Sequence, residues 1–199
     1  VSFVFQLELT SALFNRVISV AAIALIVIFQ EEIRMFFNRL GARFSSWKIF
    51  RNKGGEDEQS NQQMTEVIRA CRHLSSEKTG ALIVLSKETY LKEIIETGER
   101  LDAIISARLI ENIFFKNSPL HDGAMVIANN KIEAARCILP ITQNINLPGS
   151  YGLRHRAGIG ITENSDCIAI VVSEETGSIR IIKNGKVHDV KASEMKAKI

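Results

Sequence analysis

Asp122 and its neighbours carry residue types from which nucleotide chemistry can be built. In Asn117-Ser118-Pro119-Leu120-His121-Asp122-Gly123-Ala124 an imidazole and a carboxylate stand side by side at a loop exit. Pro119 ends any preceding helix and pushes Ser118 toward an extended conformation. Gly123 and Ala124, the two smallest residues, lead into the apolar run Met125-Val126-Ile127-Ala128, so a ligand can approach the backbone closely. The arrangement suits a nucleotide or a metal at the mouth of a sheet, and equally a simple turn capped by Asp122 with His121 on the surface. Gly152-Leu153-Arg154-His155-Arg156 adds two guanidinium groups flanking an imidazole at a helix start. Backbone N–H groups at such a start attract anions, and arginine grips phosphate oxygens in a bidentate way. A carboxylate site and a phosphate clamp in one small domain point to nucleotide chemistry.

The elements that must position these groups follow from patterning. The domain begins near Gln62, with Met64, Val67, Ile68 and Cys71 on one face of a helix ending near Leu74. Strands are expected at Ala81–Leu85, Leu101–Ser106, Ala124–Ala128, Ile132–Leu139, Ile168–Ser173, Ile179–Ile182 and Val187–Val190. Asn129-Asn130 and Asn184-Gly185 read as hairpin turns between them. Helices or helical turns are expected at 91–95, 107–115, 156–161 and 192–198, and residues 141–151 read as a loop. Short strands interspersed with helices give an α/β fold with a mixed central sheet flanked by helices.

Ahead of that domain the chain is unlike the rest. Val17 to Phe29 is an uncharged apolar run of thirteen residues, short of the roughly 20 that span a bilayer. Extension back to Ala12 makes eighteen and takes in Asn15 and Arg16, and Arg16 can snorkel to the interface. Residues 1–29 are accordingly expected to supply a transmembrane helix, the alternative being a buried core helix. Residues 30–50 read as a juxtamembrane amphipathic helix striped with Ile33, Phe36, Phe37, Leu40 and Phe44. The excess of Arg34, Arg39, Arg43, Lys48, Arg51 and Lys53 places that flank on the cytoplasmic side. Residues 51–61, polar and glycine-bearing, read as the linker to a catalytic domain at 62–199. Three widely spaced cysteines without a Cys-x-x-Cys pattern are expected as free thiols in a reducing compartment. A net charge of +3, with no basic block interleaved with aromatics, argues against a nucleic-acid partner.

Asp122-Gly123-Ala124 and Arg154-His155-Arg156 together resemble the two defining motifs of the diadenylate cyclase domain family. The resemblance also takes in Thr79-Gly80-Ala81-Leu82-Ile83-Val84, Leu101-Asp102-Ala103-Ile104-Ile105-Ser106, Leu139-Pro140 and Ser173-Glu174-Glu175-Thr176-Gly177. It runs in order from about residue 30 to residue 190 and is nearest to the membrane-anchored type. It implies condensation of two ATP into cyclic di-AMP across a face-to-face homodimer, with release of two pyrophosphates. It also implies a bacterial cell-membrane location with the catalytic domain in the cytoplasm, preceding membrane helices that are absent here (the chain begins at Val1), and room for regulatory protein partners.

By the same resemblance Asp122 and Arg154 are catalytic. Gly123, Ala124, Ile138, Leu139, Gly152, Leu153, His155, Arg156, Ser173 and Glu174 join Arg154 in nucleotide binding. His121, Asp122 and Glu175 would hold a divalent metal, Mn²⁺ first, with Mg²⁺ or Co²⁺ as alternatives. His121 could instead bond a neighbouring loop, and His155 could be a phosphate donor or a structural link. Two positions depart from the family pattern. Leu153 stands where many relatives have threonine, and so has only its backbone N–H to offer a phosphate. Ile138 replaces a tyrosine of some relatives, giving apolar contact to a base without stacking. The runner-up reading is a catalytically weak or inactive nucleotide-binding signalling module of the same fold. A third is a membrane scaffold acting through the Phe36–Phe44 stripe.

Overall fold

A computed structural model describes residues 2–30, 33, 56–87 and 91–198. The chain divides into two units, Val1–Arg43 and Phe44–Ile199. The first contains helix α1 (Ser2–Ile28), whose side chains from Arg16 to Ile28 are exposed. Among the described residues no helix is long and apolar enough to cross a membrane. The spanning helix expected within residues 1–29 is therefore not shown, in keeping with an uncharged run of only thirteen residues. The expected amphipathic helix at 30–50, except Gln30 and Ile33, and the first half of the expected linker lie outside the described residues.

The second unit is built on a seven-stranded sheet in the order β2-β4-β3-β1-β5-β6-β7. It opens with α2 (Glu56–Ser76), followed by β1 (Ala81–Leu85), α3 (Lys92–Ile95), β2 (Glu99–Ile104) and α4 (Ala107–Ile113). The hairpin β3 (Ala124–Ala128) and β4 (Lys131–Cys137) precedes α5 (Leu153–Glu163) and β5 (Ile168–Val172). The chain closes with β6 (Ile179–Lys183), β7 (Lys186–Val190) and α6 (Met195–Lys198). β1 and β3 pair in parallel, and every other neighbouring pair is antiparallel. The two hairpin turns have left-handed backbones at both central residues, φ 50° and 60° at Asn129-Asn130 and 49° and 71° at Asn184-Gly185. That matches the twist of the flanking strands.

The central strands β1, β3 and β5 are buried along their whole length, as continuous Val/Ile/Leu/Ala runs covered on both faces must be. Alternation of side chains divides each strand between two cores. Ile83, Met125 and Ile170 pack with Val67, Cys71 and Leu74 of α2 and Ile110 and Ile113 of α4. Leu82, Val84, Val126 and Val171 pack with Ile95 of α3 and Ile159 and Ile161 of α5. Each fully buried Ile or Val contributes about 1.5–3 kcal/mol, so a rigid sheet carries the loops at its ends.

Among the boundaries that differ from the sequence reading, three have a local cause or bear on the site. α2 starts at Glu56 rather than near residue 62, because Glu56-Asp57-Glu58 complements the positive end of a helix dipole. β2 stops at Ile104, and Ser106 caps α4 instead, its Oγ accepting from the Leu109 N–H at 3.3 Å. α5 starts at Leu153, so Arg154-His155-Arg156 forms its first turn.

Candidate active site

The strand topology brings four chain segments to one end of the sheet. The entries of β1 and β3 meet the exits of the antiparallel strands β4 and β5 there, and the first turn of α5 lies beside them. A cavity of about 460 Å³ opens between these segments, within the size range of small-molecule and cofactor pockets. It is lined by Asp122, Gly123, Ala124, Ile138, Leu139, Gly152, Leu153, Arg154, His155, Ser173, Glu174 and Glu175. Of the expected site residues, His121 and Arg156 are the two that do not line it. Leu82, Cys137, Ile141, Ser150, Ala157, Val171 and Val172 also line it and were not anticipated.

At the β3 entry the backbone itself is specialised. Gly123 has φ +134°, and a Cβ there would lie 2.8 Å from the carbonyl carbon of Arg136, 2.9 Å from its Cα and 3.0 Å from the Cys137 carbonyl oxygen. Glycine alone allows β3 and the bulged end of β4 to approach this closely. Asp122 is exposed on the cavity wall, whereas His121 turns back on its own loop, its Nδ1 2.6 Å from the Ser118 carbonyl oxygen. A carbonyl only accepts, so Nδ1 carries a proton and donates it. The turn closed by the His121 N–H on the Ser118 carbonyl and the bend at Asp122 separate the two side chains despite their proximity in sequence. Among the described residues no group of three or more His, Cys, Asp or Glu could hold a metal ion. Asp122, Glu174 and Glu175 nonetheless give the cavity three carboxylates, ligands of the type hard divalent cations take, of which Glu174 pairs with Arg154.

On the opposite wall, α5 begins at Gly152 with no side-chain cap, so orphan N–H groups of its first turn are available to an anion. Arg154 Nη1 donates to Glu174 Oε2 at 3.0 Å, with side chains 26% and 59% exposed. An ion pair this open is worth only about 0–1 kcal/mol, so phosphate can compete for the guanidinium at little cost. Gly80 lies beneath the pair: a Cβ there would stand 2.7 Å from Arg154 Nη1 and 3.0 Å from Glu174 Oε2. Arg156 is half-buried, and its carbonyl accepts from the Thr142 N–H at 3.1 Å. At 100° per residue the two arginines sit on nearly opposite sides of α5, so only Arg154 reaches the cavity wall.

His155 is buried. Its Nε2 lies 2.8 Å from Arg180 Nη1, and arginine only donates, so Nε2 accepts and the imidazole is neutral with its proton on Nδ1. Burial, reinforced by the Arg180 cation and opposed by Asp189, pushes the His155 pKa down to about 4. All three cysteines are free and buried. Burial raises the Cys137 thiol on the cavity wall to about 11, which keeps it protonated and unreactive. Ile138, Ile141 and Leu153 expose 71%, 54% and 75% of their surface on the cavity rim.

Fold and site together describe a nucleotide-binding domain, and comparison with known proteins agrees. The chain belongs to the family described as DisA bacterial checkpoint controller nucleotide-binding, the DAC domain, matched over residues 68–187. It is 38% identical over 177 residues to the cyclic di-AMP synthase CdaA of Bacillus subtilis, covering 88% of this chain and 63% of that protein. It is 37% identical over 193 residues to a diadenylate cyclase of Listeria monocytogenes, covering 96% of this chain and 69% of that protein. The crystal structure of DacA from Staphylococcus aureus, a double mutant, superposes with a TM-score of 0.69 at 39% identity, covering 71% of this chain and 95% of that one. A Bacillus cereus structure described as a hypothetical membrane spanning protein gives a TM-score of 0.62 at 42% identity, covering 64% of this chain and 63% of that one.

Proposed function

We propose that this chain is a diadenylate cyclase that condenses two ATP into cyclic di-AMP and two pyrophosphates. The observation that carries the reading is a single cavity holding Asp122 and Gly123 on one wall and Arg154, Glu174 and Glu175 on the other. Each ribose 3′-hydroxyl attacks the α-phosphate of the other ATP. The new P–O bond forms as the bond to the bridging oxygen of pyrophosphate breaks, and the hydroxyl proton leaves toward Asp122. Arg154 and the N–H groups at the start of α5 stabilise the phosphate charge that builds during this displacement. A divalent cation, Mn²⁺ first and Mg²⁺ or Co²⁺ as alternatives, would be held by Asp122 and Glu175 on the cavity wall, while His121, turned onto the Ser118 carbonyl, stands outside that pair. When bound, such an ion neutralises phosphate charge. Ser173 and Glu174 complete the phosphate wall, and Ile138 and Leu139 give the base an apolar seat.

Two nucleotides must meet face to face, and the described residues form one cavity of this composition, so two copies act together. The specific activity of the unit from Glu56 onward, assayed with ATP and Mn²⁺, is therefore expected to rise with protein concentration through the range in which dimers form. Concentration-independent turnover by a proven monomer would refute the shared site. The exposed Leu153, with no hydroxyl at the helix start, favours the second reading of a weakly active or inactive nucleotide-binding module. ATP binding without cyclic di-AMP in the same assay would establish that one instead.

The proposal includes anchoring of the N-terminal unit in a bacterial cell membrane with the catalytic domain in the cytoplasm. Its support is the exposed apolar run from Val17 to Phe29 and the likeness to the Bacillus cereus protein described as membrane spanning. The full chain is then expected to sediment with membranes and to resist washing in high salt; recovery in the soluble fraction would count against it.

A further inference from the structure

A chain of contacts behind the cavity involves three residues that belong to none of the motifs. Asp189 on β7 and Arg180 on β6 are direct cross-strand partners, and Arg180 Nε donates to Asp189 Oδ1 at 2.7 Å. The same guanidinium donates from Nη1 to His155 Nε2 at 2.8 Å. Its Cζ also lies 5.1 Å from the centroid of the Tyr151 ring, in cation–π range. Tyr151 in turn stacks on His155, with ring centroids 5.1 Å apart and planes 16° from parallel. Asp189 is 77% exposed and Arg180 only 16%, so the carboxylate steers the guanidinium from the outside while the guanidinium works inside.

The contacts grip α5 at two points, Tyr151 just before Gly152 and His155 within the first turn. Arg154 lies between them, and on a helix the direction of one side chain sets the direction of the next. From this geometry we infer that Arg180, oriented by Asp189, is a positioning residue: by holding His155 Nε2 it fixes the turn from which Arg154 meets the nucleotide phosphates. The inference rests on the diadenylate cyclase reading for its reaction, though not for its geometry. It explains why the middle residue of Arg-His-Arg is an imidazole. Only a ring with one accepting and one donating nitrogen can take a bond from arginine while remaining neutral and flat against Tyr151.

The test uses the full chain in detergent, with ¹⁵N-labelled histidine, ATP binding and cyclic di-AMP formation as readouts. In the unsubstituted chain the His155 ring is expected as the tautomer protonated on Nδ1. Arg180→Met is expected to abolish that preference and to weaken ATP binding and turnover by on the order of ten- to a hundredfold, the scale of a small misplacement of a reacting group. Arg180→Lys, which keeps one donor and the charge, should recover part of both. Asp189→Asn, at an exposed position, should fold and give a smaller loss in the same direction. If Arg180→Met does not fold, Arg180→Lys and Asp189→Asn decide the question. Variants with an unchanged His155 tautomer, or with an altered tautomer and unchanged ATP affinity and turnover, overturn the inference. If the unsubstituted chain makes no cyclic di-AMP, the proposed activity fails, and tautomer and ATP affinity still decide the positioning role.

Discussion

Asp122→Asn is expected to abolish cyclic di-AMP synthesis while leaving a folded protein that binds ATP. The side chain is exposed on the cavity wall next to Gly123, so removing its charge disturbs no core packing. What is lost is the one carboxylate at the β3 entry able to orient the 3′-hydroxyl, accept its proton or hold a cation beside it. Loss of a positioned general acid or base costs about a hundredfold or more in rate. Arg154→Ala should fail differently. It removes a phosphate partner and also leaves Glu174 unpaired on the same wall, so ATP binding itself should weaken along with turnover. Both variants need nucleotide binding and product formation measured side by side. Near-normal synthesis by Asp122→Asn would take it out of the chemistry. Equal loss of ATP binding in both variants would mean that Asp122 binds or supports rather than reacts.

The two cavity walls were readable because their motifs are local. Asp122-Gly123-Ala124 and the turn beginning at Gly152 each place chemistry next to small residues within a few positions, and both line the cavity. The bounds of β1 and β3 were equally legible, since a strand buried on both faces reads as an unbroken apolar run. β2 began two residues before its expected start because Glu99 and Arg100, on an edge strand, carry no apolar signal. Adjacency in sequence did not bring His121 and Arg156 to the cavity: the Ser118 turn holds the first and helical rotation turns the second away from the group it accompanies. The partners of His155 were invisible for another reason. Arg180 lies 25 positions along the chain from it, and only the β6–β7 hairpin, folded onto α5, brings the two together. Leu82, Cys137 and Val171 were likewise hidden, being core residues by composition and cavity residues only because their strands end there.

Gly123→Ala is expected to be the most damaging single-methyl addition at the site, and Gly80→Ala supplies the contrast that identifies the cause. At Gly123 two penalties coincide. The φ of +134° lies where an L side chain is strained, at a cost of about 1–3 kcal/mol. The new Cβ would also meet backbone atoms of Arg136 and Cys137 at 2.8–3.0 Å, and those lie at the bulged end of β4 where Cys137 pairs with Ala124, so they cannot yield without disturbing the hairpin. The variant should therefore unfold at lower temperature or lower denaturant concentration and lose activity together with stability. At Gly80 the new Cβ would meet only the ends of the Arg154 and Glu174 side chains, at 2.7 and 3.0 Å. Those are the far ends of flexible side chains and can swing aside although Gly80 is buried, so the loss of stability should be much smaller than at Gly123. The displaced guanidinium should nevertheless weaken ATP binding. Thermal or denaturant unfolding together with ATP titration of both variants separates the two effects. A Gly123→Ala protein as stable as the parent would show that the β3 entry can relax. A Gly80→Ala protein with unchanged ATP affinity would show that Arg154 does not need the space beneath it to reach the phosphates.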